Sequence, residues 1–179
     1  MEVLEAIRQR REVTQFLDAR VEPAVLRAVV EAGYRAPTGN HLISRELIVI
    51  QDRGILTRLT QTTPYMPWLA GAAAGIVVTG RPDVSKYWVQ DGSIACAFMW
   101  LAAVEQGLGM AFGAVYHAQD AEESARREGY AREVLHLPDD RRVLAILGVG
   151  RPAAWPEGKP PHAKEQVIFL NRFGQSWQE

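Results

Sequence analysis

The sequence has a single cysteine, Cys96, among its 179 residues. No disulfide can therefore form within the chain, and the apolar stretch around Cys96 predicts a buried, unreactive thiol. The four histidines show no metal-ligand spacing and have no cysteine pair to help them, so we expect no metal site. The sequence also lacks a P-loop, a GxSxG nucleophile motif and a GxGxxG motif placed after a strand. It therefore has none of these common signatures of nucleotide binding and hydrolysis.

The sequence also lacks an excess of positive or negative charge and has no long apolar run. The formal net charge is −1, so no basic surplus favours nucleic acid, and we expect no nucleic-acid partner. The longest apolar runs, residues 68–78 and 94–104, fall well short of the roughly 20 residues that span a bilayer. The first residues (MEVLE) lack the basic region of a signal peptide. We therefore expect a cytoplasmic protein with no membrane partner.

The composition that remains is typical of a folded domain. Hydrophobic residues make up 47% of the chain and charged residues 23%, as in globular proteins. The length suits one domain, and we expect residues 1–179 to form it. Four prolines within residues 152–161 forbid regular structure there, so we predict that residues 150–179 form an extended arm.

The pattern of apolar residues predicts alternating helices and strands. Helices are predicted near residues 3–10, 23–33, 54–61, 67–73, 87–106 and 120–135, and strands near residues 47–51, 74–79, 110–116 and 143–149. The helix at 87–106 is apolar almost all round, which predicts a central and deeply buried position. The alternation predicts a mixed sheet with helices on both faces.

Three features are candidates for ligand binding, and each has an ordinary structural alternative. Arg8, Arg10 and Arg11 cluster at the end of the first helix, where they either bind a phosphate or favour the helix C-terminus. The loop at residues 37–40 (PTGN) offers polar groups to a heteroaromatic edge, but these residues are also common in turns. The glycines of residues 107–114 either let backbone N–H groups approach a planar ligand or simply end a helix and permit close packing.

Taken together and in this order, these segments resemble the FMN-dependent nitroreductase family. Residues 6–16 are similar to the family's opening helix, which leads into Arg-Arg-Ser-x-Arg-x-Phe, and residues 36–40 resemble its Ala-Pro-Ser-x-x-Asn loop, one residue shorter. Residues 88–109 look like its central helix with the glycines that follow, and residues 137–152 resemble its closing strand. The resemblance spans nearly the whole chain.

The resemblance implies an α+β, three-layer α/β/α fold and a domain-exchanged homodimer with a C-terminal arm and two FMN molecules at the interface. NAD(P)H would reduce FMN, and a nitroaromatic, quinone or similar acceptor would take the electrons. This chemistry belongs to the cofactor, so we expect no catalytic acid or base. The arginines and Lys159 would face the phosphate, the partner's 37–40 loop would lie along the flavin, and backbone near Gly113 would approach its reactive nitrogen. The implied FMN contacts are Arg10, Arg11, Glu12, Thr14, Pro37, Thr38, Asn40, Gly113, Ala114 and Lys159.

Glu12 and Thr14 depart from the family pattern, which commonly has serine and a basic residue at these positions. Glu12 either pairs with a neighbouring arginine or faces the ligand, and Thr14 adds no cation, so we expect weak affinity for FMN. Two alternatives therefore stay open. One is a flavin carrier or sensor without efficient turnover. The other is an enzyme similar to the branch that consumes reduced FMN to make dimethylbenzimidazole, which often has an acidic residue at the Glu12 position.

Overall fold

Four strands form one sheet between two layers of helices in the computed structural model, which describes residues 1–177. The strand order is β1-β2-β4-β3. The last two residues of the predicted arm, 178 and 179, lie outside the described residues. The helices are α1 (Val3–Gln9), α2 (Pro23–Arg35), α3 (Arg53–Leu59), α4 (Trp88–Glu105) and α5 (Ala121–Leu135), and the strands are β1 (Arg45–Ile50), β2 (Ala74–Gly80), β3 (Gly109–Ala114) and β4 (Arg142–Gly150).

Local signals at the helix ends explain why the predicted elements form close to their predicted bounds. Pro23 occupies the first turn of α2, where its missing N–H costs nothing. The side chains of Asp52 and Asp120 cap α3 and α5 by accepting backbone N–H groups at 2.8 and 2.9 Å. Gly107 adopts a φ of +70° just after α4, a conformation that glycine allows at low cost. The segment predicted as a helix at 67–73 is a short 3-10 helix, Pro67–Gly71.

The sheet differs from the mixed sheet that we predicted. All three strand pairs are antiparallel, and within residues 1–177 parallel pairing is limited to one isolated bridge, between Glu12 and Met110. Alternation of helices and strands indicates how often the chain crosses the sheet but does not fix the direction of each strand. Here the connection that contains α5 joins β3 to its antiparallel neighbour β4.

Two hydrophobic cores, one on each face of the sheet, produce the predicted three layers. Every residue of β2 is buried, so its side chains alternate between the two cores. Ile76 and Val78 belong to the core that includes Met99 of α4. Val77 belongs to the other core, together with Leu56 of α3 and residues of α5.

Helix α4 is less completely buried than its apolar sequence predicts. Met99 and Ala103 are fully buried, but Ile94 and Phe98 remain 37% and 42% exposed. The prediction of deep burial is therefore wrong for this face of α4 in a single chain. An apolar sequence predicts that the face is covered, but it does not say whether the same chain or a second chain covers it. Neither α4 nor another helix among the described residues is long and apolar enough to cross a bilayer.

The segment after β4 has little regular structure as far as residue 177. It contains a 3-10 turn at Lys164–Gln166 and two isolated bridges, from Phe16 to Pro152 and from Phe169 to Ser176. Phe173 is 92% exposed, and Val167, Leu170 and Trp177 are exposed as well. The exchange of this segment with a second chain stays a prediction.

Candidate functional site

The three arginines at the end of α1 have different surroundings. Arg8 pairs with Glu5 at 3.3 Å. The Nη1 of Arg11 donates to the carbonyl oxygens of Arg8 and Arg10 at 2.7 and 2.8 Å, which satisfies the C-terminal end of α1. The guanidinium of Arg10 lies 4.8 Å from the centre of the Trp100 ring and forms no ion pair within residues 1–177. Arg10 is therefore the arginine most available to an external anion.

Lys159 comes to the same region because Gly158 packs on Arg11. A Cβ atom at Gly158 would meet the end of the Arg11 guanidinium, so the two residues are in direct contact. Lys159 is exposed and, in the part of the chain that the structure describes, has no carboxylate partner. The C-terminal segment thus adds a second available cation near the end of α1. We call Arg10, Arg11 and Lys159 the basic cluster.

The outer edge of β3 lies next to the basic cluster, since the chain that follows α1 runs along this edge. The N–H of Val13 donates to the carbonyl of Met110 at 3.0 Å, and the N–H of Phe112 donates to Oε1 of Glu12 at 3.3 Å. Backbone N–H groups alternate in direction along an antiparallel strand, so the N–H of Ala114 points outward like that of Phe112. Ala114 is exposed and therefore presents a backbone donor at the open edge.

Gly113 lies between Phe112 and Ala114, and a side chain at this position would face the core. A Cβ atom there would clash with the side chain of Met66 and lie 3.1 Å from the carbonyl oxygen of Ile146. Gly113 therefore permits close packing behind the edge, which is one of the two alternatives stated for the glycines of this segment.

Glu12 does not pair with a neighbouring arginine in residues 1–177. Its carboxylate accepts the Phe112 N–H, which places a negative charge at the β3 edge, two residues from Ala114. Thr14 is exposed and adds no charge. The edge therefore combines the positive charge of the basic cluster with one carboxylate close to it.

Two aromatic residues that the sequence analysis missed join the basic cluster to the β3 edge. The rings of Trp100 and Phe112 are nearly parallel, with an angle of 6° and centres 6.4 Å apart. Trp100 also donates from its indole nitrogen to the carbonyl of Arg11 at 3.2 Å. Residues 10, 100 and 112 lie on three different elements, so no local sequence signal connects them.

The loop at residues 37–41 is held from behind by a buried carboxylate on α4. Gly39 N–H donates to Oδ1 of Asp91 at 2.9 Å, and the Ser44 hydroxyl donates to Oδ2. Asp91 is only 3% exposed, whereas Asn40 and His41 are exposed and have φ values of 56° and 58°. The sequence analysis missed Asp91 as a functional candidate. Its signal was a lone acidic residue in an apolar helix.

Arg45 fixes the start of the same loop. Its Nη2 donates to the carbonyl oxygens of Gly33 and Ala36 at 2.8 and 2.6 Å, at the C-terminal end of α2. Burial lowers the pKa of Arg45, and the nearby charge of Asp91 partly opposes this shift. Arg45 and Asp91 are thus electrostatically linked behind the loop.

The predicted FMN contacts fall into two groups within one chain. The first consists of the basic cluster, Glu12, Thr14 and the β3 edge. The second consists of Pro37, Thr38 and Asn40. The groove of about 940 Å³ beside Pro37 and Thr38 is lined by α2, this loop and β1, and by no residue of the first group. One chain therefore does not bring the two groups to a common cavity there.

Comparison with known proteins places this architecture in a family. No protein-family model matches the chain. The solved structure of the "Putative NADH dehydrogenase/NAD(P)H nitroreductase" of Bacteroides thetaiotaomicron is 30% identical with a TM-score of 0.86, over 96% of this chain and 98% of that one. An FMN-dependent nitroreductase of Clostridium difficile is 25% identical with a TM-score of 0.86, over 95% and 99%. A protein of Methanothermobacter thermautotrophicus that carries the same name as the first is 29% identical over 159 residues, 87% of this chain and 80% of its own length. Identity and fold agree over almost the full length, and the chain therefore belongs to the nitroreductase family.

Proposed function

We propose that the chain is an FMN-dependent oxidoreductase that passes electrons from NAD(P)H through the flavin to a nitroaromatic, quinone or similar acceptor. Membership of the nitroreductase family supports the oxidoreductase class, and the relative from Clostridium difficile is named FMN-dependent. The observation that supports the flavin most directly is Arg10, an arginine without an ion-pair partner in the described chain, beside the open β3 edge. A phosphate and a planar heteroaromatic ring need this combination of a cation and backbone donors.

The residues at this edge fit FMN, with one opposing group. Arg10 and Lys159 are cations without carboxylate partners in residues 1–177, and Ala114 presents a backbone donor. The carboxylate of Glu12 opposes a phosphate or a reduced flavin nearby. The basic cluster has three cations, and Arg127 adds a fourth at the carbonyl of Ala114, against the carboxylates of Glu12 and Glu123, so the balance stays favourable for an anionic cofactor.

Each group at the edge has a distinct role in this proposal. FMN supplies the two-electron chemistry when it is bound. Arg10 and Lys159 hold the phosphate, and Arg11 caps α1 and so fixes the position of Arg10. The Ala114 N–H donates towards the ring edge. The proposal needs no acid or base from the protein, and we assign none.

We propose that the active form is a homodimer. Exposed apolar side chains lie on α1, on α4 and on the C-terminal segment, among them Leu4, Ile7, Phe98, Leu170 and Phe173. Strand β1 is an edge of the sheet in one chain. A second copy would bury these surfaces and bring its 37–41 loop to the basic cluster. The dimer would thus bring the two groups of predicted FMN contacts together.

Anaerobic titration of the flavin-loaded protein with NADH and with NADPH tests the electron path. We expect the visible flavin bands to bleach with at least one nucleotide and to return when a quinone is added. Bound flavin that bleaches with neither nucleotide favours the carrier or sensor. Destruction of added reduced flavin in air favours the dimethylbenzimidazole-forming alternative. A protein that binds no FMN overturns the proposal and both alternatives.

A further inference from the structure

Resting on the proposed FMN site and homodimer, the geometry points to Asp91 as a positioning residue that shapes the 37–41 loop for the flavin bound by the other chain. Asp91 lies in the first turn of α4, behind the loop. It is buried, so it acts on a flavin only through the backbone that it holds.

Both carboxylate oxygens of Asp91 hold the loop. Oδ1 accepts the N–H of Gly39 at 2.9 Å, and Oδ2 accepts the hydroxyl of Ser44. These two donors lie on either side of Asn40 and His41, the residues with positive φ. One side chain therefore ties both ends of the turn to α4.

The turn requires such external support because its backbone is locally unfavourable. Two consecutive residues other than glycine have left-handed conformations, and the second is histidine. The turn also packs against Tyr87, the residue just before α4, since a Cβ atom at Gly39 would lie 2.7 Å from its ring. The Asp91 hydrogen bonds hold the backbone in this geometry.

Arg45 and Asp91 together leave the outer surface of the loop free. Arg45 fixes Ala36, the residue before the loop, and Asp91 fixes its middle and the residues after it. Pro37 and Asn40 remain exposed. No hydrogen bond of Asp91 within residues 1–177 reaches the basic cluster or the β3 edge of its own chain. The hydrogen bonds of Asp91 therefore act on the loop, and the proposed dimer brings that loop to the partner's flavin.

Hybrid dimers test this assignment. Asp91→Asn keeps the size of the side chain but removes its charge and one acceptor oxygen, so the Ser44 hydroxyl can no longer donate to that atom and would have to turn and accept from the NH₂ group. We expect the Asp91→Asn homodimer and the Arg10→Ala homodimer each to bind FMN at least about tenfold more weakly than the wild type. A hybrid with one chain of each kind contains one site with an intact Arg10 and an intact loop. Purified with two different tags, it should bind one FMN per dimer with wild-type affinity.

A hybrid in which both sites bind FMN weakly shows that the loop serves its own chain, and it overturns the assignment. Wild-type FMN affinity both in the Asp91→Asn homodimer and in a Ser44→Ala homodimer, which removes the hydroxyl altogether, also overturns it. A different result would overturn the proposed function itself: the wild-type protein would bind no FMN or would be a monomer.

A matched pair of serine variants separates positioning from general stability. Ser44 and Ser124 each donate a hydroxyl to a buried carboxylate on a helix, Ser44 to Asp91 and Ser124 to Glu128 on the other face of the sheet. We expect Ser44→Ala to weaken FMN binding several-fold and Ser124→Ala to leave it unchanged, although Ser124→Ala should lose at least as much Tm because the Ser124 hydroxyl also accepts the N–H of His117. Equal changes in FMN affinity for both variants indicate a purely structural role for Asp91. This comparison decides the question even if Asp91→Asn does not fold.

Discussion

Arg10 differs from Arg8 and Arg11 in having neither a carboxylate nor a carbonyl partner among the described residues. We expect Arg10→Ala to weaken FMN binding by about 1.5–3 kcal/mol, the usual contribution of a charged hydrogen bond. Titration of FMN fluorescence measures the change. Arg8→Ala is the matched control, because Arg8 pairs with Glu5 on the same helix and should change FMN affinity little. Unchanged affinity in Arg10→Ala removes this residue from the site.

Glu12 and Thr14 are the residues at which the chain departs from the pattern of its family. The Glu12 carboxylate lies at the β3 edge, where it repels an anionic cofactor. We expect Glu12→Ser combined with Thr14→Arg to bind FMN at least about tenfold more tightly, a gain of about 1.4 kcal/mol. Glu12→Gln removes the charge and keeps an acceptor for the Phe112 N–H, so it should provide part of the gain. Equal affinity in the double variant and the wild type would show that the two departures are harmless.

At the scale of elements, Glu128 joins α5 to the start of β4. Its carboxylate accepts two hydrogen bonds from Arg142, at 2.6 and 2.7 Å, one from Ser124 and one from the N–H of Val143. Burial raises the pKa of the Glu128 carboxyl, but these hydrogen bonds outweigh burial and hold its pKa below the ordinary value of 4.5. The ionised carboxylate therefore stabilises the fold above the unfolded pKa, and this stabilisation is lost as pH falls through the folded pKa.

We expect Glu128→Gln to lower the free energy of unfolding by about 2–3 kcal/mol at neutral pH. The loss is moderate because the Arg142 side chain is 37% exposed, so water solvates part of its charge after the change. The difference from the wild type should shrink as pH falls below the ordinary glutamate pKa of about 4.5. Urea unfolding at neutral and at acidic pH measures both effects, and an equal difference at the two pH values contradicts this role of the charge.

Elements whose signals are local were predictable from the sequence, whereas those that depend on distant contacts were not. Pro23 and Gly107 mark helix ends through their own backbone preferences. Strand direction and the exposed face of α4 depend on contacts between distant segments, and both predictions needed correction. The residues of the candidate site also differ in whether a local sequence signal reveals them. The arginine cluster is contiguous, but the bond from Gly39 to Asp91 joins residues 52 positions apart.

At the scale of the whole molecule, the unburied apolar faces predict a stable dimer. Light scattering should give about 40 kDa, twice the chain mass of 19.9 kDa. Phe98→Glu places a charge on the exposed apolar face of α4 and should shift the population towards monomers. Ala125→Glu, on the exposed surface of α5, is the control and should leave the mass unchanged. A monomeric wild-type protein at micromolar concentration contradicts the dimer.

Binding of FMN at the β3 edge, in a site formed by both chains of a dimer, underlies every role proposed for these residues. Its most direct test is an FMN titration of the purified, flavin-stripped protein, followed by visible absorbance with the mass of the complex measured in parallel. We expect saturation at one FMN per chain, on a dimer of about 40 kDa, twice the chain mass of 19.9 kDa. A protein whose absorbance does not change at saturating FMN contradicts it.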